Sequence, residues 1–357
     1  MTPAENDTST NRVLDIDGKV VGAMPEFAHD PAELLKLYRT LVLTRTFDTK
    51  AIALQRTGRL GTYASSLGQE AISVGAAAAM QPDDVFLPSF REHGGQLWRG
   101  LTLKELFLYW GGDERGNDFA GPRGDFPNCV PVGSHPPHAV GVALAFRLRG
   151  EPRAAVCVLG DGATSKGDFA EALNMAGVWQ VPAVFVINSN AWAISVPRAK
   201  QSAAETLAQK AVAAGIPGEQ VDGNDVIAVR AVMERALARA RQGQGPSLIE
   251  AVCYRLCDHT TSDDASRYRD DAEVSRHWPA EPLVRLRNFL TGAGHWDKDK
   301  EEALLHECGS AVEQAAEEYL ATPPQPVAAN FDYTYAEAPA ELAEQRETAI
   351  AIAQGAA

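Results

Sequence analysis

A chain of 357 residues is long enough for two average domains, or for one large α/β domain with appendages. Its 45% apolar content allows a sizeable core, and a formal net charge of −14 disfavours a nucleic-acid partner. Five scattered cysteines imply no disulfide framework, the polar start lacks the basic and apolar segments of a signal peptide, and no apolar run approaches the roughly 20 residues of a membrane span. A cytoplasmic chain with no membrane partner is the expectation. Cys253, Cys257 and His259 lie close in sequence, but structural zinc needs four ligands and no second pair stands at matching spacing.

Met1–Arg12 is polar and reads as a terminal arm, and Val13–Ala23 as a short extended hairpin about Asp17-Gly18. Asp30, Pro31 and Glu33 supply a cap, a first-turn proline and a return carboxylate. Leu34, Leu35, Tyr38, Leu41 and Val42 then fall at helical spacing, so a helix should run toward Arg56. After a glycine turn at Gly58–Tyr63, the stretch Gly68–Met80 reads as a helix whose small residues admit another backbone at close range, a packing role. Asp84–Ser89 should be a strand that delivers Phe90-Arg91-Glu92-His93 to a sheet end. Thr102 and Glu105 form a capping box ahead of Leu106–Trp110. Gly111–Val132 has no periodicity, and a loop of that length inside a compact enzyme is functional or mobile. Ala139–Leu148 is a helix packed by small residues.

Farther on, Ala203–Ala214 is read as helical, Gln220-Val221 as a short strand, and Asp222–Asp225 as a turn opening a helix at Val226–Arg241. Ser247–Arg255 is an apolar strand and His259–Arg269 a flexible polar loop. Pro282–Leu290 and Lys298–Leu320 are charged amphipathic helices, followed by an Ala/Glu/Pro-rich tail, Pro323–Ala357. The division expected is an arm over residues 1–30, an α/β domain over 31–280, and a C-terminal helical extension and tail over 281–357.

The chain is organised around Arg153–Ser195. An apolar run, Ala154–Leu159, reaches Gly160-Asp161-Gly162; a helical pattern follows; a second apolar run, Val181–Ile187, reaches Asn188-Ser189-Asn190. Two strands joined by one crossover helix lie parallel with a right-handed connection, so their carboxyl ends open on one edge and bring Asp161 to Asn190. Two hard oxygen side chains beside a glycine-flanked turn and a helix N-terminus suit Mg²⁺ and a phosphate group. Gly160 and Gly162 let backbone approach such a ligand.

With Asn190 placed 29 residues after Asp161, this pattern resembles the thiamine diphosphate signature. GRLGTYASSLGQEA at Gly58–Ala71, FREHG at Phe90–Gly94 and DHTTSDDASRYR at Asp258–Arg269 extend the likeness over nearly the whole chain from about Asp30. The chain is most similar to the α subunit of the decarboxylating first component of 2-oxo acid dehydrogenase complexes. That resemblance implies an α/β fold, a parallel sheet with helices on both faces serving as the diphosphate-binding module, with helical extensions at both ends. It implies Mg²⁺ held by Asp161, Asn190 and the backbone carbonyl of Trp192. Phe90, Arg91, Val130, Val132, Gly160, Gly162, Ala163 and Arg255 join those three around thiamine diphosphate, and His259, His135 and His93 are the catalytic candidates. Phe90 stands where relatives carry Tyr, which removes one hydrogen bond worth about 0.5–1.5 kcal/mol.

The function implied is oxidative decarboxylation of pyruvate, with the acetyl group passed to a lipoyl domain of the acyltransferase component. The assembly implied is an α2β2 heterotetramer, in which a β subunit supplies the Glu that engages the cofactor's aminopyrimidine. A branched-chain 2-oxo acid (3-methyl-2-oxobutanoate) dehydrogenase α subunit is the alternative, since His135, DHTTSDD and the tail at Tyr335–Thr348 resemble that branch. A non-catalytic scaffold subunit that keeps the fold is the alternative of another class. A dinucleotide fingerprint fails because Ser165 stands where its third glycine belongs, and a P-loop fails because Lys166-Gly167 is reversed.

Overall fold

In the computed structural model, which describes residues 10–355, the Val- and Ile-rich runs become strands. They are β1 (Thr10–Asn11), β2 (Val85–Leu87), β3 (Ala155–Gly160), β4 (Ala183–Ser189), β5 (Trp192–Ala193), β6 (Val196–Pro197), β7 (Gly218–Asp222) and β8 (Ser247–Val252). Six of them form one parallel sheet in the order β1-β7-β8-β4-β3-β2, while β5 and β6 pair antiparallel on their own. A parallel sheet covered on both faces needs apolar side chains at successive positions, not only at alternate ones. Accordingly Val156 and Val158 of β3 join Val184, Val186 and Ile249 in one core with Leu37, Leu41, Ile72, Val229 and Met233. Ala155, Cys157 and Leu159 face a second core with Phe185, Ile187, Ala139, Phe169 and Leu173. Helices Pro31–Arg56, Glu70–Ala78 and Val226–Arg241 thus cover one face, and His135–Arg149 and Gly167–Trp179 the other. This is the α/β architecture expected from the sequence.

Helix starts follow the capping signals. Asp30 Oδ1 accepts from Ala32 N at 2.9 Å, and Thr102 and Glu105 exchange the two bonds of a capping box. Asp225 caps Val226–Arg241 and also accepts the backbone N–H groups of Val13 and Leu14, at 2.8 and 2.6 Å, which ties the N-terminal segment down. The close-packing role of the Gly68–Met80 segment is borne out: a Cβ on Gly75 would sit 2.8 Å from Val229 Cγ1.

Four features differ from expectation. Thr10–Asn11 forms an edge strand on β7, hidden by its polar composition, while residues 1–9 of the expected arm lie outside the described residues. Within Ala203–Ala214 only Lys210–Ala213 is helical, because upstream N–H groups go to side chains: Ala204 N to Ser202 Oγ, Ala208 N to Glu250 Oε2, Gln209 N to Thr206 Oγ1. His93–Arg99 is a helix despite Gly94-Gly95, since a Cβ on Gly94 would come within 2.6 Å of Val74; tight packing overrides propensity there. The 111–132 loop is pinned along β2 by Phe126 N to Phe86 O and Cys129 N to Ser89 O, both 2.9 Å.

The described chain divides between Ala316 and Glu317 into two compact units. The second contains helices Ala329–Asp332 and Ala340–Ala353, in which no residue is buried. Among the described residues no helix is long and apolar enough to cross a membrane.

Candidate functional site

Open parallel sheets bind ligands beyond the carboxyl ends of their strands. In register, Gly160 pairs with Asn188, so β3 and β4 end level, and the residues that follow them border a cavity of about 260 Å³. Asp161 and Asn190 both line it. Asp161 opens a short 3-10 turn, Asp161–Ser165, and the α-helix begins only at Gly167. Its Oδ1 accepts from Gly162 N at 2.7 Å, while Oδ2 is buried without a partner. Burial lifts this carboxyl to about 6, against the opposing pull of the Gly162 N–H, Arg255 and Arg198.

Asn190 is 5% exposed; its Nδ2 donates to Gln69 Oε1 at 2.8 Å and its Oδ1 accepts from Trp192 N at 3.2 Å. The turn after it holds two non-glycine residues in the left-handed region, Ala191 at φ 72° and Ile194 at φ 55°. Such backbone costs about 1–2 kcal/mol per residue and persists only when its surroundings enforce it. Arg255 is the brace: fully buried, its guanidinium donates to the carbonyls of Ile194 at 2.9 Å, Cys257 at 3.2 Å and Trp192 at 3.4 Å. The cation expected from Arg255 is therefore behind the cavity wall, not on it.

Arg91 is the cation on the wall. It is 6% exposed, donates to Ser65 O at 2.5 Å and to the Nδ1 and carbonyl of His259 at 2.9 and 2.6 Å, and forms no ion pair with a described carboxylate. A buried charge without a counter-ion is costly, so the arrangement suits an anionic ligand. Because Arg91 can only donate, His259 Nδ1 is the acceptor and its proton sits on Nε2. Burial, then Arg91 and Arg255, hold His259 at about 4. The 258–269 loop expected to be flexible is cross-linked by Thr261 N to Tyr63 O at 2.9 Å and His259 N to Asp263 Oδ2 at 2.9 Å.

His135 also lines the cavity; its Nδ1 donates to Pro88 O at 2.6 Å, leaving Nε2 as an acceptor, and burial lowers its pKa. Phe90, Val132, Gly160, Gly162, Ala163 and Trp192 complete the expected residues on the wall. A Cβ on Gly160 would meet open space, whereas one on Gly162 would lie 2.7 Å from Ala193 Cβ, so packing, not ligand approach, requires the second glycine. Val130 is off the wall at 55% exposure, and Val132, at 49%, is no core residue either. His93 does not line the cavity. It is sealed beneath the surface, stacked on Tyr63 at 5.3 Å and accepting from Trp110 Nε1 at 3.0 Å, and burial takes it down to about 3.

Sequence reasoning missed three participants. Glu92, raised by burial, collects the N–H groups of Ser89 and Arg91. Asn188 borders the cavity two residues before Asn190, and the alternation of a strand was signal enough to find it. Gln69, inside a quoted block, touches Asn190 without lining the cavity.

The wall fits a divalent cation and a phosphate group: an unpartnered buried carboxylate oxygen, an amide, an unpaired guanidinium and open space at Gly160. Among the described residues no three His, Cys, Asp or Glu side chains converge as a metal site, so an ion here must share its shell with ligand oxygens. The five cysteines are free.

The sequence model of the dehydrogenase E1 component family matches residues 38–328. The pyruvate dehydrogenase E1 component subunit alpha of Staphylococcus aureus (strain Mu50) is 40% identical over 349 residues, covering 96% of this chain and 94% of the relative. The protein of the same name from Staphylococcus epidermidis is 40% identical over 339 residues, covering 94% and 91%.

Proposed function

The chain belongs to the dehydrogenase E1 component family, and from that premise we propose that it is the α subunit of a thiamine diphosphate-dependent pyruvate dehydrogenase, an oxidoreductase acting on 2-oxo acids. The observation that carries the reading is the buried Asp161 oxygen left without a partner beside Asn190. In this reading Asp161, Asn190 and the Trp192 carbonyl hold Mg²⁺, and Arg91 neutralises the diphosphate. When bound, thiamine diphosphate supplies the carbon nucleophile that cleaves a 2-oxo acid between its carbonyl and carboxylate carbons. This chain's own groups orient the reaction. His259 Nε2–H offers a donor to a carboxylate or carbonyl oxygen, and His135 Nε2 offers an acceptor. With His259 at about 4 and His135 also lowered, both rings are neutral near pH 7, so they steer by hydrogen bonding instead of charge.

Two half-exposed apolar side chains line the cavity, Val132 at 49% and Ile194 at 54%, and each has another two residues away along the chain, Val130 at 55% and Val196 at 42%. Such a collar supports cover by a partner chain. We assign that cover to a β subunit in an α2β2 assembly, which would bring the Glu that engages the cofactor's aminopyrimidine, and we place a lipoyl domain of the acyltransferase component as the acyl acceptor. The test is reconstitution. The α chain alone should not turn over pyruvate; with its β partner, Mg²⁺ and thiamine diphosphate it should, with a higher kcat/KM for pyruvate than for 3-methyl-2-oxobutanoate. Full turnover by the α chain alone refutes the split site, preference for the branched substrate refutes the substrate assignment, and an inactive pair that binds no cofactor marks a scaffold subunit.

A further inference from the structure

We propose that Gln69 is a positioning residue for the Asn190 ligand, fixing which end of that amide is available to the cation; the inference rests on the Mg²⁺-binding reading above. An amide has one end that binds a cation and one that repels it. The backbone N–H of Trp192 cannot turn round, so its bond to Asn190 at 3.2 Å identifies Oδ1 as the acceptor end. The NH₂ end then needs an acceptor of its own, and Gln69 Oε1 provides it at 2.8 Å. Gln69 and Asn190 are 2% and 5% exposed, so water cannot substitute for either.

Gln69 meets this demand at its own expense, because its Nε2 is left buried with no partner. Turning Gln69 round would not help: its NH₂ group would then face the NH₂ group of Asn190. The pair is therefore locked in one sense, from the backbone of Trp192 through Asn190 to Gln69. Groups that orient metal ligands in this way shape affinity without touching the ion, and their loss typically costs roughly ten- to a hundredfold in metal binding.

The test uses the α chain assembled with its β partner. Mg²⁺ is titrated calorimetrically at fixed thiamine diphosphate into the wild type, Gln69→Leu, Asn190→Asp and the double variant, with the melting temperature of each apo protein recorded. Gln69→Leu should raise the half-saturating Mg²⁺ concentration roughly ten- to a hundredfold. In the Asn190→Asp background the same change should matter little, because a carboxylate has no wrong end. Where Gln69→Leu does not fold, Gln69→Met, of similar length and only a weak acceptor, takes its place in both backgrounds. An unchanged Mg²⁺ requirement in the single variant overturns the inference, and so does an equal loss in both backgrounds, which a packing defect would produce. Wild-type protein that binds thiamine diphosphate without needing Mg²⁺ overturns the ion-binding reading, and the inference with it.

Discussion

Replacing Asp161 by Asn should make the apo protein more stable while destroying the site. Burial holds this carboxyl at about 6 instead of 3.8, so folding favours its protonated form. The stability linked to that preference is complete below pH 4 and is lost as pH rises through 6. At about 1.4 kcal/mol for each tenfold, the wild type gives up about 3 kcal/mol by pH 7.5. Asp161→Asn removes the charge at constant shape and adds an unpartnered NH₂ that costs about 1 kcal/mol. The net gain of about 2 kcal/mol corresponds to roughly 3 °C in a unit of this size. Scanning calorimetry with a chelator present at pH 7.5 and at pH 4.5 measures it: the variant should melt higher at pH 7.5, with the gap closing toward acid, and should no longer bind thiamine diphosphate in a Mg²⁺-dependent way. A variant that melts at or below the wild type at pH 7.5, or that keeps the Mg²⁺ response, overturns the role given to Asp161.

The two glycines should separate binding from folding. Gly160→Ala, whose Cβ meets open space, should leave the apo melting temperature unchanged yet weaken cofactor binding measurably, whereas Gly162→Ala, 2.7 Å from Ala193 Cβ, should lose about 1–3 kcal/mol in chemical denaturation. Arg91→Lys keeps the charge but not the fork that reaches both Ser65 and His259, and calorimetry should show thiamine diphosphate affinity down about tenfold; unchanged affinity contradicts its role. His259, held at about 4 below its ordinary 6.5, gives stability that is complete above pH 6.5 and lost as pH falls through 4. His259→Asn should therefore flatten the stability profile over that interval, and the wild-type ring should show no NMR titration between pH 8 and 5.5.

Much of the architecture was legible because parallel strands buried on both faces leave unbroken apolar runs, as in Val156–Leu159 and Ala183–Ile187. The meeting of Asp161 and Asn190 followed from topology alone: two parallel strands with level ends need no side-chain detail. What sequence could not convey was direction. Arg91 and Arg255 were equivalent as residue types, yet one borders the cavity and the other braces the strained turn at Ala191–Ile194. His93 and His135 were likewise alike as residue types, yet the first is buried among Tyr63 and Trp110 and the second lines the cavity. Local propensity failed where tertiary bonds prevailed, in the 203–209 segment held by Glu250 and in the Gly94-Gly95 helix.

In the proposed site a carboxylate and an amide from two strand ends jointly hold the cofactor's cation. This is tested most directly by crystallising the α chain with its β partner, thiamine diphosphate and Mn²⁺ in place of Mg²⁺, and locating the metal by anomalous scattering. A peak is expected about 2.2 Å from Asp161, Asn190 and the Trp192 carbonyl, with the rest of the shell made of diphosphate oxygens and water. A peak elsewhere, or ordered cofactor with no peak between Asp161 and Asn190, contradicts it.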